Sequence, residues 1–101
     1  MKRQVCQGDV IKLAGIPVPV LVVSKDFFNA TGEVIGCPIL KNGTDGPLHI
    51  YIETEKTKGY VQCEKLKLLD LNVRGFSVRD RIAMADIINI TDAIQGIFDY
   101  I

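Results

Sequence analysis

The chain has 101 residues, 48% of them hydrophobic, with twelve basic and twelve acidic side chains that cancel. This length predicts one domain over 1–101 that buries roughly two-thirds of its unfolded surface, and the apolar fraction excludes a disordered chain. Zero net charge excludes nucleic-acid binding by bulk charge, which leaves a local patch or a groove.

No apolar run reaches the roughly 18 residues of a membrane span, so no membrane partner is expected. Met1-Lys2-Arg3-Gln4 leads directly to a charged Asp9, unlike a secretory signal. Cys6, Cys37 and Cys63 are odd in number and widely spaced, without a CxxC pair. That pattern predicts reduced thiols packed as small hydrophobes in a cytoplasmic protein. With one histidine, His49, the chain lacks the residues for a zinc set, and neither a metal nor a cofactor is expected.

Thirteen Ile and ten Val against eight Leu favour strands. Turn formers at Gly8-Asp9, Gly15, Pro17, 29–32, 42–47 and Gly59 cut the chain into short pieces. The pieces predict strands at about 8–14, 18–24, 33–40, 47–54, 59–66 and 76–82. Residues 18–23 are nearly all apolar, as in a strand covered on both faces. Asp26-Phe27-Phe28-Asn29 reads as a turn or a single helical turn, with at least one Phe in the core. Residues 42–46 read as a mobile loop.

The next two strands alternate. Leu48, Ile50 and Ile52 interleave with His49, Tyr51 and Glu53, and Val61 and Cys63 with Tyr60, Gln62 and Glu64. A four-residue loop, 55–58, pairs Thr54 with Gly59. Ile52 then lies opposite Val61 and Ile50 opposite Cys63 on the core face. On the polar face Tyr51 meets Gln62 and His49 meets Glu64. In the last segment Ile87, Ile90, Ile94, Ile97, Phe98 and Ile101 recur at three and four, predicting an amphipathic core helix from about Met84. Gly96 weakens that helix and leaves room for a close approach. The architecture is mainly antiparallel β, a small barrel closed by a C-terminal helix.

Several segments together resemble a family. Gly8-Asp9-Val10-Ile11 is similar to the opening of MazF/PemK-like toxins, and 19–29, PVLVVSKDFFN, to their "RPVLVVSNDFFN" strand and turn. Thr31-Gly32, Cys37-Pro38-Ile39, Gly59-Tyr60-Val61-Gln62-Cys63-Glu64 with Leu66 and Asp70, and Arg74-Gly75-Phe76 follow in the family's order. The resemblance covers nearly the whole chain. It implies an SH3-like antiparallel β-barrel of MazF/CcdB type, usually a homodimer, in a bacterial type II toxin–antitoxin module. The implied activity is that of an mRNA interferase, a metal-independent endoribonuclease on single-stranded RNA, silenced by a cognate antitoxin. CcdB-like proteins of the same fold poison DNA gyrase, the alternative target.

Three positions depart from the resemblance. Val18 stands where the family has its catalytic Arg, Leu40 where it has Thr, and Gln62 where some members carry a further Arg. RNA cleavage without metal needs a base for the 2′-hydroxyl proton, an acid for the leaving oxygen and a cation over the developing charge. His49, with Glu64 to orient it and Gln62 beside it, forms the candidate catalytic group. Tyr51 and Tyr60 are candidates for base stacking. Lys25, Lys41 and Arg74 are the candidate RNA-binding cations, Lys25 foremost. The other reading is a catalytically inactive binding protein that kept the fold and acts through antitoxin, RNA or gyrase.

Overall fold

Residues 4–99 of the computed structural model are described, and they form seven strands and two helices. In chain order these are β1 (Asp9–Leu13), β2 (Val20–Val22), α1 (Asp26–Asn29), β3 (Glu33–Leu40), β4 (His49–Glu53), β5 (Lys58–Gln62), β6 (Lys67–Asp70), β7 (Phe76–Arg81) and α2 (Met84–Phe98). Every pairing is antiparallel, along the path β4-β5-β3-β2-β1-β7, with β6 added beside β3. The mainly antiparallel sheet and the C-terminal helix agree with the sequence. The barrel does not: β4 and β7 end the path without pairing, so the sheet is not closed. β6 is also new. With one buried side chain, Leu69, in four residues, it carries no readable alternation.

β3 organises the sheet. One of its edges pairs with β2 through Val20↔Pro38, Leu21↔Cys37 and Val22↔Gly36. Its other edge is divided, with β6 along Glu33–Gly36 and β5 at Ile39 and Leu40. Pro38 marks the division. The Ile39 N–H donates to the Pro19 carbonyl at 3.0 Å, toward β2, so the alternation turns position 38 toward the divided edge. Proline has no N–H to offer there. The ladder breaks at that residue, and two strands share what one would otherwise occupy.

The β4–β5 hairpin is tighter than the sequence predicts. Its register is His49↔Gln62, Ile50↔Val61, Tyr51↔Tyr60, Ile52↔Gly59 and Glu53↔Lys58. The four-residue loop and the pairs derived from it are therefore displaced by two residues. The Thr54 N–H donates to the Thr57 carbonyl at 2.8 Å, closing a loop of Glu55 and Lys56 alone. Side chains explain the closure. Thr54 Oγ1 accepts the amides of Lys56 (3.1 Å) and Thr57 (2.9 Å), building the turn from within. The Thr54 and Thr57 hydroxyls both donate to Asp80 Oδ2 on β7, the latter at 2.7 Å. Burial acts to raise the Asp80 carboxyl, but the hydroxyls of Thr54 and Thr57 and the Arg81 amide outweigh it and hold it below its usual range. Side chains thus bridge the two unpaired ends of the sheet. A two-residue slip preserves the faces, so Ile50, Ile52 and Val61 still point inward.

Two apolar clusters lie on opposite faces. Val10, Leu21, Cys37, Ile39, Ile52, Val61 and Cys63 meet Ile87 and Ile90 of α2. Ile11, Val20, Val22, Val34, Leu69 and Leu71 form the other. β2 supplies both, as its unbroken apolar run implies. Burial pushes the Cys37 and Cys63 thiols up to about 12 and about 11, so these two behave as small hydrophobes.

α2 starts at Met84 as expected, but only its first part is core. Ile97 and Phe98 are exposed because the helix runs past the cluster beneath it, and Ile101 lies outside the described residues. Phe27 is 79% exposed and Phe28 half-buried, so α1 buries neither fully; it buries Asn29. The Asn29 amide donates to the Val5 (3.1 Å) and Ser24 (3.0 Å) carbonyls, tying α1 to the segments before β1 and after β2. Asp9 is fully buried. It accepts the Cys6 amide at 2.8 Å and the Arg81 guanidinium at 3.0 Å, a structural role for the Gly-Asp opening.

Two glycines separate close packing from open space. A Cβ at Gly59 would lie 2.9 Å from both Ile39 Cγ2 and the Leu40 carbonyl oxygen, whereas one at Gly96 would meet nothing within 4 Å. Gly96 thus serves no close approach. Gly59→Ala is expected to lower stability by about 1–3 kcal/mol through overpacking. Gly96→Ala is expected to raise it by about 0.5–1 kcal/mol through helix propensity. Urea unfolding of the two variants checks the opposite signs.

Candidate functional site

β5 ends at Gln62, and the Lys65 amide donates to the Gln62 carbonyl at 3.0 Å, turning the chain toward β6. That turn sits where the divided edge of β3 passes from β5 to β6. It projects Glu64 back over the hairpin, where Glu64 Oε2 lies 2.9 Å from His49 Nε2. The expected contact is therefore present, but as a diagonal one, since His49 lies directly opposite Gln62. The two side chains are 31% and 37% exposed, open to a ligand yet partly shielded. The His49 hydrogen bond is the main cause that holds the Glu64 carboxyl below its usual range, with a smaller contribution from the Lys65 charge. On the other side of the ring, Gly46 adds no side chain near Nδ1; a Cβ there would still be 3.8 Å away.

Tyr51 and Tyr60 are directly opposed on the same outer face as His49, with ring centroids 5.2 Å apart and planes tilted by 58°. The Tyr51 hydroxyl donates to Glu53 at 3.0 Å, and that hydrogen bond is the main cause that raises the phenol above its usual range. Gln62 is buried directly opposite His49, with its amide donated to the Tyr60 carbonyl at 3.1 Å. Lys41 is exposed immediately after Leu40, which pairs with Tyr60. His49, Glu64, Gln62, Tyr51, Tyr60 and Lys41 thus belong to one hairpin neighbourhood.

Two candidates lie elsewhere. Lys25 lines a groove of about 540 Å³ against α2, with Leu66, Met84 and Ile88. Arg74 donates to the Ala14 carbonyl at 3.4 Å, beside the β1–β2 loop. Val18 lines a cleft of about 340 Å³ with Val20, Pro38 and Leu69, and the charged groups on its wall are Lys65 and Lys67. No motif or periodicity in the sequence singles out these two lysines. Lys65 directly follows Glu64, and that adjacency was the available signal; Lys67 lies on the strand that had none. Among the described residues no three His, Cys, Asp or Glu side chains gather as a metal-ligand set, and no helix is long and apolar enough to cross a membrane.

Residues 12–98 match the family model described as PemK-like, MazF-like toxin of type II toxin-antitoxin system. The chain belongs to this family. Among solved structures, MazE-MazF from Deinococcus radiodurans superposes with a TM-score of 0.87 at 16% identity, covering 99% of this chain and 100% of that one. An endoribonuclease from Mycobacterial species gives 0.81 at 18% identity, over 95% and 92%. The endoribonuclease in complex with its cognate antitoxin, also from Mycobacterial species, gives 0.80 at 18%, over 96% and 99%. No curated protein matches the chain. At these identities the structural likeness shows the fold: a mainly antiparallel sheet with a C-terminal helix, as in MazF.

Because the His49 contact depresses Glu64, the interaction stabilises the protein above the ordinary glutamate range and is lost as pH falls through the lowered value. In His49→Ala the Glu64 carboxyl should titrate higher than in the parent, nearer an ordinary glutamate. Carbon-detected NMR titration of the side-chain carboxyl measures both.

Proposed function

We propose that the protein is a cytoplasmic toxin, a single domain acting as a homodimer, that cuts single-stranded RNA without a metal and is silenced by a cognate antitoxin. The observation that carries this reading is the 2.9 Å contact between His49 Nε2 and Glu64 Oε2 on the face that also presents Tyr51 and Tyr60. Family membership and solved relatives named as an endoribonuclease and as toxin–antitoxin complexes support it.

The chemistry follows from the atoms. With Nε2–H donated to Glu64, the Nδ1 lone pair is free to accept the 2′-hydroxyl proton. The 2′-oxygen then attacks phosphorus and the bond to the 5′-oxygen breaks, leaving a 2′,3′-cyclic phosphate and a 5′-hydroxyl. The imidazolium returns its proton to the leaving oxygen, and the Glu64 carboxylate stabilises that imidazolium in the interval. Tyr51 and Tyr60 offer ring faces to bases flanking the cut, with Lys41 near the backbone. Gln62 holds the hairpin that positions them.

One observation favours a second reading. Val18 and Leu40 place apolar groups where the resemblance puts Arg and Thr, as in a binding protein that lost the chemistry and acts through antitoxin, RNA or DNA gyrase. Purified protein incubated with single-stranded RNA in EDTA separates the two. The nuclease reading expects cleavage with cyclic-phosphate ends. It expects His49→Ala to lower the rate by about 10²–10⁴-fold with the fold intact, and Glu64→Gln to lower it by a smaller factor. Intact RNA with the parent protein, or equal rates for all three, would overturn it.

A further inference from the structure

The Val18 cleft has the chemistry of a nucleotide subsite, and it adjoins the His49–Glu64 pair through one turn. Its floor is apolar, formed by Val18, Val20, Pro38 and Leu69. Its wall carries the basic side chains of Lys65 and Lys67, and among the described residues no acidic side chain lines it. Both lysines are exposed. Their backbones are held. Lys65 closes the 62–65 turn through its amide, and Lys67 is in register with Gly36 at the start of β6. The cleft exists because Pro38 ends the pairing of β5 and separates it from β6, leaving a gap in the sheet edge. Glu64, which contacts His49, and Lys65, on the cleft wall, are consecutive residues of one turn.

We propose that Lys65 and Lys67 bind RNA phosphate at this cleft, while the apolar floor receives the sugar or base of the nucleotide beside the cut. The pair supplies the positive charge that position 18 lacks, displaced from β2 to the 65–67 segment. Lysine is a point charge and not a bidentate fork, so it neutralises phosphate without fixing its orientation. A cleft built in this way binds RNA backbone tightly and positions it loosely. The inference rests on the nuclease reading for its substrate, but it concerns binding and can be measured without cleavage.

The test uses the full chain and a fluorescent pool of random-sequence single-stranded RNA with methylated 2′-hydroxyls, which cannot be cut by attack of the 2′-oxygen. Binding by anisotropy is followed across salt concentration. Each phosphate contact contributes a slope of about −0.7 in log K against log salt for single strands. Lys65→Gln with Lys67→Gln should reduce the slope by about 1.4 and weaken binding about tenfold or more at moderate salt. Lys56→Gln with Lys58→Gln removes the same charge at the far end of the hairpin and should do neither. Lys65→Arg with Lys67→Arg should retain binding. Thermal unfolding establishes that the variants fold. If the two glutamine pairs behave alike, the cleft assignment fails and the nuclease reading stands. If His49→Ala cuts ordinary RNA like the parent while the Lys65/Lys67 loss remains, the nuclease reading fails and the cleft stands. A parent protein that does not bind the methylated pool overturns the cleft.

Discussion

A missing amide at Pro38 governs the architecture. β3 is the only strand with three partners among the described residues, and it reaches that number because its outer edge cannot continue as one ladder past position 38. β5 takes one part and β6 the other, so the chain between them must turn within a few residues. That turn carries Glu64 and Lys65. The contact with His49, the charged wall of the Val18 cleft and the inward placement of Leu69 all descend from this division of one strand edge.

Among the described residues the same sheet leaves one edge each of β4 and β7 unpaired, a condition that invites association with other strands. The Thr54–Thr57–Asp80 cluster answers it with side chains instead of a ladder. Two hydroxyls on one carboxylate draw the hairpin tip onto β7, and the turn is shortened in the process. α2 covers one face with Ile87 and Ile90 and then runs on, leaving Met84, Ile88, Ile97 and Phe98 exposed. A helix whose sequence repeats as a core element therefore has two apolar surfaces, and among the described residues one is packed and the other exposed.

Family membership and chemistry part company here. The Gly-Asp opening and the Ser24–Asn29 turn, which carry part of the resemblance, have structural work. Asp9 fastens the first turn to Arg81, while Asn29 fastens α1 to Val5 and Ser24. These motifs maintain a fold. The positions at which the chain departs from the resemblance, Val18 and Leu40, lie instead just before β2 and at the end of β3, and both are apolar.

The sequence by itself determined the strand-rich class, the α2 start, the two-sided burial of 20–22 and the faces of the hairpin, because local periodicity decides which side chains point inward. Tertiary structure placed Glu64 beside His49, since β5 ends at Gln62 and the turn closed by Lys65 projects it back over the hairpin. Tertiary structure decided the register, through hydroxyls at 54 and 57 that reach a carboxylate 23 or more residues away. It decided the open sheet and β6, whose four residues show no alternation until β3 is beside them. It also decided that Lys65 and Lys67 line the Val18 cleft while Lys25 and Arg74 lie elsewhere. A lysine's charge is written in the sequence. Which phosphate-sized space it faces depends on where distant strands stop pairing, and here that depends on a proline in the strand next door.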